Sequence, residues 1–224
     1  YALNSDIIQS FIIHSRSYGE TSIIFDMLTL QNGIISVILK GAKKRKDFAQ
    51  LHVGKEFDIQ ISKAKLPMLL KYEVGDSYLI QKKHLLVIMY FNELLSRLIP
   101  KYQPQKRLYS IYKKYLEYMS KTDDNKNIII IGFELLLLKN IGYAINTQLQ
   151  TSDINDEDLY TYDYLIGFKK INTKSSLHIT GITLKKILNF DINSITELKN
   201  VRLITRNIIT YIAGDKTIKS FDII

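Results

Sequence analysis

The chain contains no cysteine among its 224 residues. That excludes a disulfide framework, a thiol nucleophile and every cysteine-ligated zinc or iron–sulfur centre. It also fits a reducing compartment. Long hydrophobic runs are missing too. The most apolar stretch, Ile128–Leu138, is interrupted by Glu134 and falls short of the roughly 20 apolar residues that span a bilayer. Tyr1–Asp6 is polar, and the apolar letters after it alternate as in a strand instead of clustering as in a secretory signal. A soluble chain without a membrane partner is expected. Catalytic signatures are equally absent. Gly54-Lys55 is followed by Glu56, and Gly214-Asp215-Lys216-Thr217 lacks the upstream glycine of a phosphate loop. His14, His52, His84 and His178 lie far apart, without helical ligand spacing. Asp123-Asp124 and Asp156-Glu157-Asp158 read as solvated loops rather than metal ligands. The expectation is a non-enzyme with no catalytic residue, no metal and no cofactor.

What is present is a core and a surplus of positive charge. Hydrophobic residues make up 46% of the chain, enough to exclude wholesale disorder. There are 31 Lys+Arg against 22 Asp+Glu, a net charge of +9. The surplus is uneven. Residues 81–120 carry eight bases and two acids, residues 151–178 three and five. Lys40–Lys71 holds nine bases (Lys40, Lys43, Lys44, Arg45, Lys46, Lys55, Lys63, Lys65 and Lys71) against Asp47, Glu56 and Asp58. Such clustering makes polyanions plausible partners.

The first 80 residues read as β. Ile7–His14, Ser22–Leu30 and Gly33–Lys40 are Ile/Val/Phe-rich, with Gly19 and Asn32-Gly33 as turns. Phe57, Ile59 and Ile61 alternate with polar residues, and Leu69–Val74 follows Pro67. Five short strands with one long basic loop predict a small closed barrel. After Lys82 the period lengthens. Leu86, Tyr90, Leu94 and Leu98 predict a helix ending before Pro100, and Leu108, Tyr112, Tyr115, Leu116 and Met119 predict a second. Ile128–Leu138 predicts a buried helix stopped by Gly142. Two short strands, near 159–171, and two helices, about 181–189 and 194–212, complete an α+β chain. The domains expected are a barrel over 1–80 and a helical domain over 81–224.

The functional signal is the basic loop on the barrel. Lys40-Gly41-Ala42-Lys43-Lys44-Arg45-Lys46 leaves a strand, and its cations suit phosphate neutralisation with counterion release. Small barrels with a basic groove and exposed aromatics bind single strands, and Tyr18, Phe48 and Tyr72 are the candidate stacking residues.

Several segments resemble one family. His14-Ser15-Arg16-Ser17-Tyr18-Gly19-Glu20-Thr21-Ser22, then Gly33, then Lys40-Gly41-Ala42, is similar to the opening of the bacterial recombination mediators of the RecO family. Asn92-Glu93-Leu94-Leu95 resembles that family's N-E-L-L helix. Phe133-Glu134-Leu135 with Ile141-Gly142-Tyr143 resembles its F-E-L…L-G-Y helix. Gly167-Phe168, Thr180-Gly181 and Gly214–Ser220 match its G-F, T-G and final G-x-K-x-L-K-S segments. The resemblance implies an N-terminal OB-fold, a helical C-terminal domain and a cytoplasmic, nucleoid-associated protein. It implies binding to single- and double-stranded DNA and annealing of complementary strands. It also implies work with RecR to load RecA on strands coated by single-strand-binding protein (SSB).

The DNA-binding residues expected from loop and resemblance together are Arg16, Lys40, Lys43, Lys44, Arg45, Lys46, Lys63 and Lys65. Arg97 and Lys101, spaced i,i+4, and Arg202 and Arg206, spaced likewise, are the expected second basic surface. Two departures from the family stand out. Many relatives carry four cysteines as a zinc module, and this chain has none. Some relatives carry a basic pair before F-E-L, where this chain has Ile131-Gly132. A pocket for the C-terminal tail of SSB would then use Leu108, Tyr112 and Phe133 with cations from Lys106, Arg107 and Lys126. The alternative function is an adaptor whose barrel binds a protein instead of DNA.

Overall fold

In a computed structural model, residues 7–143, 149, 151–173 and 177–224 are described, and Tyr1–Asp6 lies outside them. The apolar runs of the first third form strands β1 (Ile8–Tyr18), β2 (Ser22–Thr29), β3 (Gly33–Leu39), β4 (Lys55–Ile61) and β5 (Leu69–Ser77). They pair antiparallel in the order β3-β2-β1-β4-β5. The sheet closes where β3 runs parallel to β5, at Ile38 and Met68. There the Ile38 N–H donates to the Pro67 carbonyl at 2.9 Å. The result is the small barrel that the strand count predicted, of the OB type that the family resemblance implied. Its interior holds Ile12, Phe25, Met27, Val37, Phe57 and Ile59, all buried.

The Asn32-Gly33 turn is specified twice over. Thr29 Oγ1 donates to the Gly33 carbonyl at 2.7 Å and accepts from the Asn32 N–H at 3.0 Å. Gly33 adopts φ +69°, and a Cβ there would lie 1.8 Å from the Gln103 carbonyl oxygen. No other residue fits.

Helices α1 (Leu85–Leu98) and α2 (Lys106–Lys121) pack on this barrel. The Phe11 ring of β1 lies 5.1 Å from Tyr109 and 5.3 Å from Tyr112. Tyr112 donates its hydroxyl to Asn92 Oδ1 at 2.7 Å. The end of the chain returns to α1. Glu93 accepts from the Lys219 and Ser220 N–H groups at 2.9 and 2.8 Å and from Ser220 Oγ at 2.5 Å. Compactness therefore groups residues 1–122 with 218–224, whereas the change from β to α falls near residue 80.

Residues 123–217 form the other compact unit. It contains α3 (Lys126–Asn140), α4 (Gly181–Leu188) and α5 (Leu198–Ala213), with a sheet ordered β7-β6-β8. Those strands are β6 (Leu159–Asp163), β7 (Gly167–Ile171) and β8 (Ile179–Thr180). α3 is buried almost all round, as its unbroken apolar run requires. Its one buried charge, Glu134, pairs with Arg202 of α5 and accepts from Thr205 Oγ1 at 2.5 Å. The acidic loop is solvated at Asp153, Asp156 and Glu157, as expected, and is also tied to its neighbours. Asp158 offers its carbonyl to the Gly181 N–H at 2.8 Å, and a Cβ on Gly181 would meet the Asn155 carbonyl oxygen at 1.8 Å. Asp156 pairs with Lys185 at 2.7 Å and Asp158 with Lys170 at 2.5 Å. α5 starts at Leu198 rather than at 194, after a short turn over Ile192–Ser194. Among the described residues no helix is long and apolar enough to cross a membrane.

A buried carboxylate organises the outer face of the barrel. The β1 register shifts between Ile12 and His14, so His14 falls opposite Asp26 of β2. The Asp26 side chain is only 8% exposed and meets Arg16 Nη1 at 3.1 Å. It also accepts from Ser36 Oγ at 2.5 Å and from Lys101 Nζ at 2.8 Å. Burial alone would raise its pKa. Hydrogen bonds from Lys101 and Ser36 and the charges of Lys101 and Arg16 outweigh that and hold it below the ordinary value. A lowered folded-state pKa stabilises the fold above the unfolded value, and that stability is lost as pH falls through the folded value. Asp26→Asn should therefore cost about 2 kcal/mol in urea unfolding at neutral pH. The gap to the unsubstituted chain should narrow below the ordinary aspartate value of 3.8. A gap independent of pH would contradict this role.

Candidate nucleic-acid interface

The basic loop begins where β3 ends. Gly41 turns the chain with φ +65°, and Ala42–Lys44 and Phe48–Gln50 each form one short helical turn. The Lys43 N–H donates to the Thr21 carbonyl at 3.0 Å. Phe48 packs against the barrel interior. Arg45 fastens the middle of the loop. Its Nε and Nη2 reach the two carboxylate oxygens of Asp47 at 3.0 and 3.1 Å. Its guanidinium sits 5.5 Å over the Tyr72 ring. Tyr72 in turn donates its hydroxyl to Asp47 Oδ2 at 2.5 Å. Hydrogen bonds from Arg45 and Tyr72 hold the Asp47 carboxyl well below the usual carboxylate range. Burial, helped by the Asp47 hydrogen bond, pushes the Tyr72 phenol up. Arg45 is thus a rivet. Lys40, Lys43, Lys44 and Lys46 around it are exposed, and no ion pair to them occurs among the described residues.

A second basic turn precedes β5. The Ser62 N–H donates to the Met68 carbonyl at 2.9 Å, and the Met68 N–H to Ser62 Oγ at 2.8 Å. These bonds clamp the base of a turn that leaves Lys63 and Lys65 exposed. Lys71 on β5 is exposed as well. The β3–β5 contact sets loop and turn along one seam. Lys65 shares a cavity with Ile35 at the start of β3, and Tyr72 meets Arg45 beyond its end. Lys40, Lys43, Lys44, Lys46, Lys63, Lys65 and Lys71 have no ion pair among the described residues, and exposed ammonium groups of this kind can neutralise the phosphates of a strand.

The other expected cations are placed differently. Arg16 is committed to Asp26. Lys101 is not on a helix face with Arg97, because α1 stops at Leu98. It bridges to Ile34, and its ammonium serves Asp26 and Ser36. Arg97 is exposed on α1. Arg202 points into the protein. Its side chain is 13% exposed and its charge is taken by Glu134, so it shares no basic surface with Arg206, which is half-buried. Lys106 and Arg107 are exposed in the first turn of α2, and Lys126 in the first turn of α3. Leu108, Tyr112 and Phe133 have no exposed surface at all, so none of them offers an open apolar wall to a peptide. Of the stacking candidates, Tyr18 is exposed, Phe48 is half-buried and Tyr72 is held by Asp47. Lys71 and Tyr102, which lines the seam cavity, escape a reading by motif. Only Lys71 left a signal, as part of the Lys40–Lys71 charge run.

Two family models match the chain. The model described as recombination protein O N terminal covers residues 7–78, and that described as recombination protein O C terminal covers 83–209. The chain is also similar to curated proteins named DNA repair protein RecO. One from Pseudoalteromonas translucida is 24% identical over 97% of this chain and 96% of its own length. One from Nitrosospira multiformis is 30% identical over 92% and 89%. One from Polynucleobacter asymbioticus is 31% identical over 80% and 78%.

The two kinds of cation should separate in stability. Arg202→Ala leaves Glu134 buried without its counter-charge and should cost about 3 kcal/mol in chemical unfolding. Lys43→Ala removes an exposed, unpaired group and should stay within about 0.5 kcal/mol of the parent. Equal effects would contradict the assignment.

Proposed function

The chain belongs to the RecO family, and on that premise we propose that it is a recombination mediator in DNA repair. In this reading it binds single- and double-stranded DNA on the barrel and anneals complementary strands. With RecR it helps to load RecA onto strands coated by SSB. The observation that carries the DNA-binding step is the exposure of seven lysines in the loop after β3, the turn before β5 and β5 itself: Lys40, Lys43, Lys44, Lys46, Lys63, Lys65 and Lys71.

Annealing asks little of chemistry. Two strands repel through their phosphates, and a cationic surface that holds one of them lowers that repulsion and releases counterions. No proton transfer or nucleophile is required, which suits a chain without a catalytic signature. Arg45 acts indirectly, keeping the loop lysines in place through Asp47 and Tyr72. Arg97 and Arg206 retain a proposed role toward a second strand. For the acidic tail of SSB, the exposed cations Lys106, Arg107 and Lys126 remain the proposed contacts, without an apolar pocket from Leu108, Tyr112 or Phe133.

A salt titration with labelled single strand tests the reading. The combined variant Lys43→Glu, Lys44→Glu and Lys46→Glu should weaken binding to all sequences alike. The slope of log affinity against log salt should become shallower by about 0.7 for each lost phosphate contact. Unchanged affinity and slope would remove the loop from the mechanism. Salt-independent binding in the parent would favour a protein-binding adaptor instead.

A further inference from the structure

A cavity of about 320 Å³ lies on the barrel, lined by Ile35, Ile61, Lys65, Pro67, Tyr102 and Pro104 among others. Tyr102 is unusual within it. Its backbone has φ +63°, a left-handed conformation that is strained for a bulky residue. The residue is 56% exposed and is not part of the core. Three constraints nevertheless hold it there. The Lys101 ammonium is anchored on Asp26 and Ser36, the Tyr102 N–H donates to the Ile34 carbonyl at 2.9 Å, and the Gln103 carbonyl lies against the bare Cα of Gly33. An exposed aromatic thus sits on a left-handed backbone beside an apolar hollow.

We infer that this cavity takes one unstacked base of a single strand, with Tyr102 as its stacking face. The inference rests on the DNA-binding reading above and adds a base contact to a surface otherwise made of phosphate contacts. Its walls suit a flat ring: two prolines and a tyrosine supply planar faces, and Ile35 and Ile61 supply apolar surface. Its charge suits a polyanion. Lys65 lines it, Lys63 stands two residues away, and both are exposed with no ion pair among the described residues. Stacking of this kind tolerates any base, because every base has a π-face. The pocket would therefore raise affinity without conferring sequence preference. It would also hold a strand with one base lifted from its neighbours, a starting point for exchange of pairing partners.

The experiment compares an oligothymidylate with an abasic strand of the same length, each bound to the full chain across a range of salt. The oligothymidylate should bind about tenfold more tightly at every salt, the usual worth of one stacked base. Tyr102→Gly, which suits the left-handed backbone, should abolish that preference and leave the salt slope unchanged. Tyr102→Phe should keep the preference. Equal binding of both strands by the parent, with a normal salt slope, would overturn the base pocket and leave the phosphate surface standing. Binding of neither strand would overturn both. Retention of the base preference in Tyr102→Gly, with loss of binding to an acidic peptide ending in phenylalanine, would assign the cavity to a peptide and overturn the inference. The comparison of the two strands on the parent chain needs no variant, so a folding defect in one would not shield the idea.

Discussion

β3 and β5 run parallel where Ile38 faces Met68, and that contact closes the barrel. Left open, a five-stranded sheet in the order β3-β2-β1-β4-β5 would present two unpaired edges. The bridge narrows the gap between them and does something further. It brings the loop that leaves β3 and the turn that enters β5 to one seam. Because the two strands run in the same direction, the turn lies toward the start of β3 and Tyr72 lies toward the loop beyond its end. The basic loop and the basic turn therefore flank the same contact.

The positive charges of the chain are sorted by whether a carboxylate waits for them. Asp26 collects Arg16 and Lys101, Glu134 collects Arg202, and Asp47 collects Arg45. These pairs hold β1 to β2, the segment after α1 to the sheet, α5 to α3, and the basic loop to itself. The seam lysines have no such partner among the described residues, and in the proposed function a polyanion supplies it. Removing a cation of the first kind acts on stability. Removing one of the second kind acts on salt-dependent affinity.

The strands and most helices were legible because period and turn chemistry are local. Asn32-Gly33 marks its hairpin in two letters, and Pro100 stops α1. The segments that resemble the family turn out to be joints of the fold. Glu93 of N-E-L-L clasps Lys219 and Ser220 of the final motif, Glu134 of F-E-L holds Arg202, and Gly181 of T-G leaves room for Asn155. What stayed hidden is long-range. Lys101 and Asp26 are 75 residues apart, Arg202 and Glu134 are 68 apart, and nothing local distinguishes such a cation from Lys43. An apolar stripe such as Leu108 and Tyr112 reads equally as a pocket wall or as core, and only burial decides. Lys71 stood in the Lys40–Lys71 charge run, but nothing local showed that its strand borders the β3 edge. Tyr102 was hidden because a left-handed backbone on a tyrosine has no signature in composition.

In the proposed function a single strand runs along the β3–β5 seam. Amine-reactive footprinting, read lysine by lysine with and without an oligothymidylate, tests it most directly. The account predicts protection of Lys40, Lys43, Lys44, Lys46, Lys63, Lys65 and Lys71, with Lys101 unchanged because its ammonium is already engaged. Protection confined to Lys185, Lys186 and Lys199, with the seam lysines as reactive as in the free chain, would contradict it.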